Sequence, residues 1–334
     1  MTTMGDVARI AGVSASTVSH VLNRTRKVDT ATRLRVEAAI EETGYRRNVV
    51  ARSLAAGRTH TVGLSISALT NPYFGSLVHA VERALSDAGY VLIVGDSHDD
   101  VESEKRVTDS LLDRQVDGMI VAPAAGSERI TLPVITRTGT PLVLIDRGVD
   151  DLDCDQVGPE NLSSARSLTE HLLDLGHRRI AAVRGLAGIS STTERFDGYL
   201  AALADRGFAV DDALVLDGES NTDVAEREVH ALMSGENRPT ALVSLNNSMT
   251  IGTLKALRSL GLSIPADVAL VCYDDFEWAD LFEPQLTVAA QDVETIGATA
   301  VEMLLGRIRR EGGAPQRIRV PTTFHHRNSC GCTS

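Results

Sequence analysis

From Thr61 onwards the chain alternates between two hydrophobic periods. Short apolar runs, the pattern of strands covered on both faces, fall at 61–67, 90–95, 118–122 and 141–146. Between them, apolar positions recur every three or four residues at 73–88, 101–115 and, more weakly, 127–138. A second series follows, with strands at 180–183, 213–216, 240–245 and 268–272 and helices at 162–175, 193–206, 224–233 and 249–260. Such alternation predicts parallel sheets with helices on both faces. Two successive sets predict two lobes, with a ligand cleft facing the carboxyl ends of their strands. The last part does not continue the series; a helix is expected over 293–310.

The first sixty residues follow another plan. Asp6-Val7-Ala8-Arg9-Ile10-Ala11 predicts a short helix, and Thr3 stands three residues ahead of Asp6, the spacing of a capping box. Gly12 supplies a tight turn, Val13 an apolar pin and Ser14 the next N-cap oxygen. The following stretch, Ala15-Ser16-Thr17-Val18-Ser19-His20-Val21-Leu22, has an apolar side (Val18, Val21, Leu22) and a side of small polar groups plus His20. Two short helices around a glycine turn predict a helix-turn-helix, whose second helix enters the DNA major groove. Asp29 caps a third helix with Arg33, Arg35 and Glu37 outside and Leu34, Val36, Ala39 and Ile40 on or near the inside; Gly44 ends it. A linker over 46–60 has helical propensity from Asn48 to Ala56, stopped by Gly57, and is too short to be stable alone.

Charge sharpens this division. The net charge of −12 is unusual for a DNA binder. It is the sum of about +5 over residues 1–58 and about −17 over the remainder. A basic head on an acidic body is expected when only the head meets phosphate. The 334 residues allow two or three domains, and no long apolar run or basic-then-apolar leader stands out, so the expectation is a cytoplasmic protein without a membrane partner. Four scattered cysteines, Cys154, Cys272, Cys330 and Cys332, suit a reducing compartment rather than a disulfide framework.

The segments Asp6-Val7-Ala8, Ala11-Gly12-Val13-Ser14 and Thr17-Val18-Ser19-His20-Val21-Leu22-Asn23 together resemble the start of the lac repressor family, and its purine repressor branch in particular. The resemblance runs the length of the chain. It implies an all-α helix-turn-helix head joined by a hinge helix to an α/β periplasmic-binding-protein-like core of two Rossmann-like lobes. The implied divisions are 1–45 for the head, 46–60 for the hinge and 61–334 for the core. Within the core, one lobe takes about 61–159 plus 291–319 and the other about 160–290 plus 320–334. The implied partners are a pseudo-palindromic double-stranded operator, a second copy of the chain and a small-molecule effector.

On this reading Thr3, Ser14, Ala15, Ser16, Thr17, Ser19 and His20 are candidate DNA contacts of the head. Asn23, Arg24, Arg26 and Lys27 form a polar, basic turn suited to phosphates, which position a protein without reading sequence. In the linker, Ala51-Arg52-Ser53-Leu54 matches the family's hinge, and the resemblance implies that Leu54 wedges into a base step of the minor groove beside Ala51 and Arg52. Leu54 as an ordinary leucine covering the core is the alternative.

Candidate effector residues sit where strands give way to loops. Tyr73 and Phe74 follow the first strand within Asn71-Pro72-Tyr73-Phe74, a pair also found in the purine repressor pocket. Asp146 and Arg147 end the fourth strand; Ser191 and Arg195 precede Gly198-Tyr199 in the family's Arg-x-x-Gly-[Phe/Tyr] pattern. An arginine there can grip a hydroxyl, carbonyl or carboxylate with its fork of donors. Asp274, in Tyr273-Asp274-Asp275, can accept from sugar or base donors; Asn246 and Trp278 complete the set. Packing, capping and surface ion pairing are the competing roles for these side chains. Two departures point away from a purine: Ile189 and Ser220 stand near positions where the purine repressor carries arginine and phenylalanine. A sugar or sugar derivative is the expected effector, with another metabolite as the alternative.

Other classes fare worse. There is no Gly-x-Gly-x-x-Gly after the first strand, no phosphate loop and no Gly-x-Ser-x-Gly elbow, so neither an enzyme nor a bound cofactor is expected. A small-molecule binding protein without a DNA role would share the body but not the head. The tail His325-His326-Arg327-Asn328-Ser329-Cys330-Gly331-Cys332 holds four possible metal ligands, but Cys-x-Cys is not the usual zinc spacing, and a flexible, mostly inert terminus without metal is expected there.

Overall fold

A computed structural model describes residues 2–23, 26–45, 57–276, 281 and 283–332. The chain divides into two compact units, Met1–Thr59 and His60–Ser334.

The first unit holds helices α1 (Met4–Ala11), α2 (Ala15–Asn23) and α3 (Thr30–Thr43). Thr3 starts α1 as a capping box: its backbone N–H donates to Asp6 Oδ2 at 2.9 Å and its hydroxyl accepts from the Asp6 N–H at 3.3 Å. The Thr3 backbone N–H, the Thr3 hydroxyl (2.7 Å to Asp6 Oδ2) and Arg9, all donating to the Asp6 carboxylate, hold its pKa down to about 2. Gly12 ends α1 at φ +64°, a left-handed conformation that costs glycine little. Val7, Ala8, Ala11, Val18, Val36 and Ala39 form the buried core, with Val21 and Ile40 against it. Leu34 departs from expectation: it is 57% exposed. It lies two residues from Val36, about 200° around the helix, so both cannot face the same core.

The second unit has two lobes. In the first, β1 (Thr61–Ile66), β2 (Val91–Asp96), β3 (Gly118–Val121), β4 (Leu142–Ile145), β5 (Asp155–Pro159) and β11 (Arg317–Val320) form a sheet ordered β11-β5-β4-β3-β1-β2. All its pairings are parallel. Helices α4 (Pro72–Asp87), α5 (Val101–Asp113), α6 (Ser127–Ile130) and α7 (Leu132–Thr138) connect the early strands. The second lobe carries β6 (Ile180–Arg184), β7 (Val215–Asp217), β8 (Ala241–Ser244), β9 (Ala269–Tyr273), β10 (Thr287–Gln291) and β12 (Thr322–His325), ordered β12-β10-β9-β8-β6-β7. Only its β10–β12 pairing is antiparallel. Its helices are α8 (Leu162–Asp174), α9 (Ser190–Asp205), α10 (Thr222–Ser234) and α11 (Asn247–Ser259).

After β10 the chain returns: α12 (Val293–Ile308) buries Ile296, Ala300, Val301, Leu304 and Leu305 with Val62, Leu64 and Leu77 of the first lobe. The two-lobed α/β body therefore matches the sequence pattern, and both sheets repeat one strand order. The pattern did not show strand β12, which leads into the tail, nor strand β5. Its residues, Asp155-Gln156-Val157-Gly158-Pro159, carry one large apolar side chain. It is nonetheless buried throughout, because its polar groups are paired: Arg307 Nε donates to Asp155 Oδ2 at 2.6 Å, and Gln156 exchanges two hydrogen bonds with the Val149 backbone.

Candidate functional site

In the head, Ala15 and Ser16 are exposed at the start of α2, while Thr17, Ser19 and His20 are half-buried along it. Ser14 caps the helix: its Oγ accepts from the Thr17 N–H at 3.2 Å and lies 2.8 Å from both the Ser16 and Thr17 hydroxyls. Thr3 is exposed, and Arg26 and Lys27 are exposed beyond the end of α2. Asn23 closes α2. Arg24, Ala51, Arg52, Leu54 and Trp278 lie outside the described residues.

In the core, a cavity of about 30 Å³ between the lobes is lined by Asn71, Tyr73, Phe74, Asp146 and Arg147 on one side. Ser191, Arg195, Asn246 and Asp274 line the other side. The sheets explain the convergence. Asp146 follows β4 and Asp274 follows β9, equivalent places in the two strand orders. Both have positive φ, +68° and +78°. Each N–H donates to the neighbouring strand, Asp146 to Val157 O and Asp274 to Ala289 O. The two lobes thus present a carboxylate into the cleft by the same device. Non-glycine residues rarely adopt this conformation, and where it occurs it tends to mark functional sites.

Arg195 reaches the cavity from α9. Gly198, three residues on and on the same face, lets α9 approach α8 so closely that an added Cβ would stand 2.3 Å from Leu162 O. The guanidinium donates from Nε to Asn161 Oδ1 at 2.8 Å and from Nη1 to Leu245 O at 2.9 Å. It covers the Tyr273 ring at 3.7 Å and lies 4.0 Å from Asp274 Oδ2. Burial works against its charge, but Tyr273, Asp274, Asp146 and Tyr73 outweigh that, and its pKa is raised. Asp274 is also shifted up, by burial first, against the opposing pull of Arg195 and of hydrogen bonds from Gln291 Nε2 and the Asn247 N–H. Arg147 donates to Asp99 Oδ1 at 2.5 Å and to Pro123 O at 3.3 Å, with its guanidinium 5.8 Å from the Phe74 ring centre.

Several buried polar atoms here have no hydrogen-bond partner: Tyr73 Oη, Asp146 Oδ1, Arg147 Nε, both amide atoms of Asn247 and Gln291 Oε1. Burial and the Asp146 charge push the Tyr73 phenol well up, so it is a neutral donor facing a carboxylate without reaching good hydrogen-bond geometry. Beside this cavity lies a second, of about 620 Å³, which shares Asp146 and Arg147 and also meets Ile189, Ser190, Glu194 and Arg319.

The structure thus brings together Tyr73, Phe74, Asp146, Arg147, Ser191, Arg195, Asn246 and Asp274. It adds groups that sequence reading passed over. Asn161, Asp99 and Gln291 hold Arg195, Arg147 and Asp274 from other elements. Asn71 lines the cavity while its side chain caps α4 by accepting from the Tyr73 N–H at 3.1 Å; its place in Asn71-Pro72-Tyr73 was the available signal. Thr192 is also in the lining.

A helix-turn-helix unit followed by two parallel-sheet lobes with a polar cleft defines DNA-binding regulators built on a periplasmic-binding-protein body. Comparison with known proteins agrees. Residues 3–48 match "Bacterial regulatory proteins, lacI family", and residues 59–328 match "Periplasmic binding proteins and sugar binding domain of LacI family". The ribose operon repressor of Escherichia coli (strain K12) is 34% identical over 330 residues, 98% of this chain and all of that one. The HTH-type transcriptional repressor PurR of Aliivibrio fischeri (strain MJ11) is 34% identical over 311 residues, 92% of each chain. The crystal structure of the lac repressor dimer bound to operator and the anti-inducer ONPF has a TM-score of 0.88 at 27% identity, covering 98% of this chain and 99% of that one. The chain belongs to the lacI family and is a DNA-binding transcriptional regulator. Among the described residues, no helix is long and apolar enough to cross a membrane.

Proposed function

We propose that the chain is a cytoplasmic, non-enzymatic repressor that binds a pseudo-palindromic operator as a homodimer and is controlled by a neutral sugar held between its lobes. The observation that carries the ligand assignment is the convergence of two carboxylates, two guanidinium groups and the polar side chains of Tyr73, Ser191 and Asn246 on one cleft. Asp146 and Asp274, with Asp99 paired to Arg147, leave no excess positive charge from Arg147 and Arg195, so the cleft favours a neutral polyol over an anion. Asp146 and Asp274 would accept from hydroxyls, Arg195, Asn246 and Ser191 would serve hydroxyl and ring oxygens, and Phe74 offers an apolar face to the sugar ring. The similarity to a ribose operon repressor makes a pentose the first ligand to test.

A cavity of about 30 Å³ takes one or two waters and not a sugar. A sugar would therefore either extend into the adjoining cavity of about 620 Å³, which shares Asp146 and Arg147, or part the lobes, and parting them is how a ligand in the body would act on the head. In the head, Ala15, Ser16, Thr17, Ser19 and His20 would meet base edges from α2, and Arg26 and Lys27 the phosphates. Thr3 and Ser14 would support that surface through the caps they form.

The test is a thermal-shift screen of pentoses, hexoses, polyols, sugar phosphates and purines, followed by calorimetry. Neutral sugars should raise the melting temperature with concentration, as any ligand of the folded state does. Asp274→Asn should abolish that rise while leaving the protein folded by circular dichroism. Stabilisation by purines or sugar phosphates alone would contradict the neutral-sugar reading.

A further inference from the structure

Four soft or borderline ligands meet at the far end of the second lobe. His171 lies in the last turn of α8, and His326, Cys330 and Cys332 belong to the tail after β12. One ligand atom from each lies within 4.8 Å of all the others, and this is the single such group found among the described residues. Cys330 Sγ is 3.5 Å from His326 Nε2, and Cys332 Sγ is 3.7 Å from His171 Nε2. A tetrahedral zinc with usual Zn–S and Zn–N bond lengths places sulfur and nitrogen ligands about 3.6 Å apart. The two observed separations bracket that edge. The His171 and His326 imidazole rings sit 5.1 Å apart at 76°.

The geometry points to a structural Zn(II) site formed by His171, His326, Cys330 and Cys332. Sequence spacing alone led to the expectation of no metal, because Cys-x-Cys differs from the common Cys-x2-Cys pair. The fold supplies what the spacing lacks, since the fourth ligand comes from a helix 155 positions upstream of His326 in the numbering of the chain. Both cysteines are free thiols, and a thiol is a weak hydrogen-bond donor and acceptor, so mutual hydrogen bonding is a weak reason for all four to converge. Two thiolates and two neutral imidazoles form an S2N2 set that suits zinc and leaves no open position for chemistry.

Its effect would be mechanical. Zinc would pin the tail to α8, the helix against which Gly198 seats α9, so the support behind Arg195 would become metal-dependent. The site does not depend on what the cleft binds.

The test uses the full chain, purified without a metal-affinity tag under reducing conditions. Elemental analysis should find about one zinc per chain, the stoichiometry of a closed four-ligand site. A chelator should remove it with a fall in melting temperature, and added zinc should restore both. Cobalt(II) added to the stripped protein should give the strong visible bands of tetrahedral cobalt and a thiolate charge-transfer band. Cys330→Ser with Cys332→Ser should lose the zinc, whereas His325→Ala, one residue outside the set, should keep it. Wild-type protein that carries no zinc and gives only weak octahedral cobalt bands would overturn the proposal, with no variant needed. A Cys330–Cys332 disulfide in freshly reduced and desalted protein, or zinc retained by the double variant, would overturn it as well.

Discussion

Arg195 touches four groups from one helix position: Asn161, Leu245 O, the Tyr273 ring and the neighbourhood of Asp274. Its rigid planar fork reaches the first two acceptors from separate nitrogens, a geometry that the compact ammonium of a lysine does not reproduce although it keeps the charge. Arg195→Lys is therefore expected to fold, because Asp274 retains a cation nearby, yet to bind the sugar at least about tenfold more weakly, roughly 1.4 kcal/mol. Calorimetry on the purified variant measures this, and wild-type affinity would show that the fork is not used. The residues aimed into the cleft were legible because they stand at strand ends or in the Arg-x-x-Gly-[Phe/Tyr] pattern. Asn161, Asp99 and Gln291 were not. Each acts on a partner far away in sequence, and nothing local distinguishes such a polar residue from a surface one.

Among the elements of the body, most helices and strands could be read from period alone, since each buries a face in a sheet-and-helix layer. Strand β5 could not, because paired polar groups stand in for apolar burial, and Arg307, which neutralises Asp155, arrives from α12. The sequence likewise marked Gly198 as part of a motif without saying why. The structure supplies the reason: its missing Cβ is the space in which α8 and α9 cross. Gly198→Ala would force the helices apart, since Leu162 O is backbone and cannot turn aside. We expect a loss of about 1–3 kcal/mol in stability, the usual cost of overpacking, and weaker sugar binding because Arg195 shifts with α9. Denaturant unfolding checks the first part, and an unchanged midpoint would refute the close crossing.

For the whole molecule, the charge division seen in the sequence coincides with a structural one. The basic residues concentrate in the unit ending at Thr59, and the acidic excess lies in the unit that begins at His60. A body of net negative charge repels DNA, so phosphate contacts are left to the head, and binding should weaken steeply with salt. What period and charge could not reveal is how the body speaks to the head, because that requires two states of one molecule. Linkage constrains it all the same: if the sugar changes operator affinity by some factor, the operator must change sugar affinity by the same factor.

The measurement that tests this most directly is fluorescence anisotropy of a labelled operator, selected by the protein from a random-sequence pool, titrated with and without saturating sugar. The selected site should be pseudo-palindromic, and the sugar should shift its affinity by roughly 5- to 150-fold, the usual range of allosteric coupling. The shift should vanish in Asp274→Asn. A sugar that binds the cleft and leaves operator affinity unchanged would contradict the account.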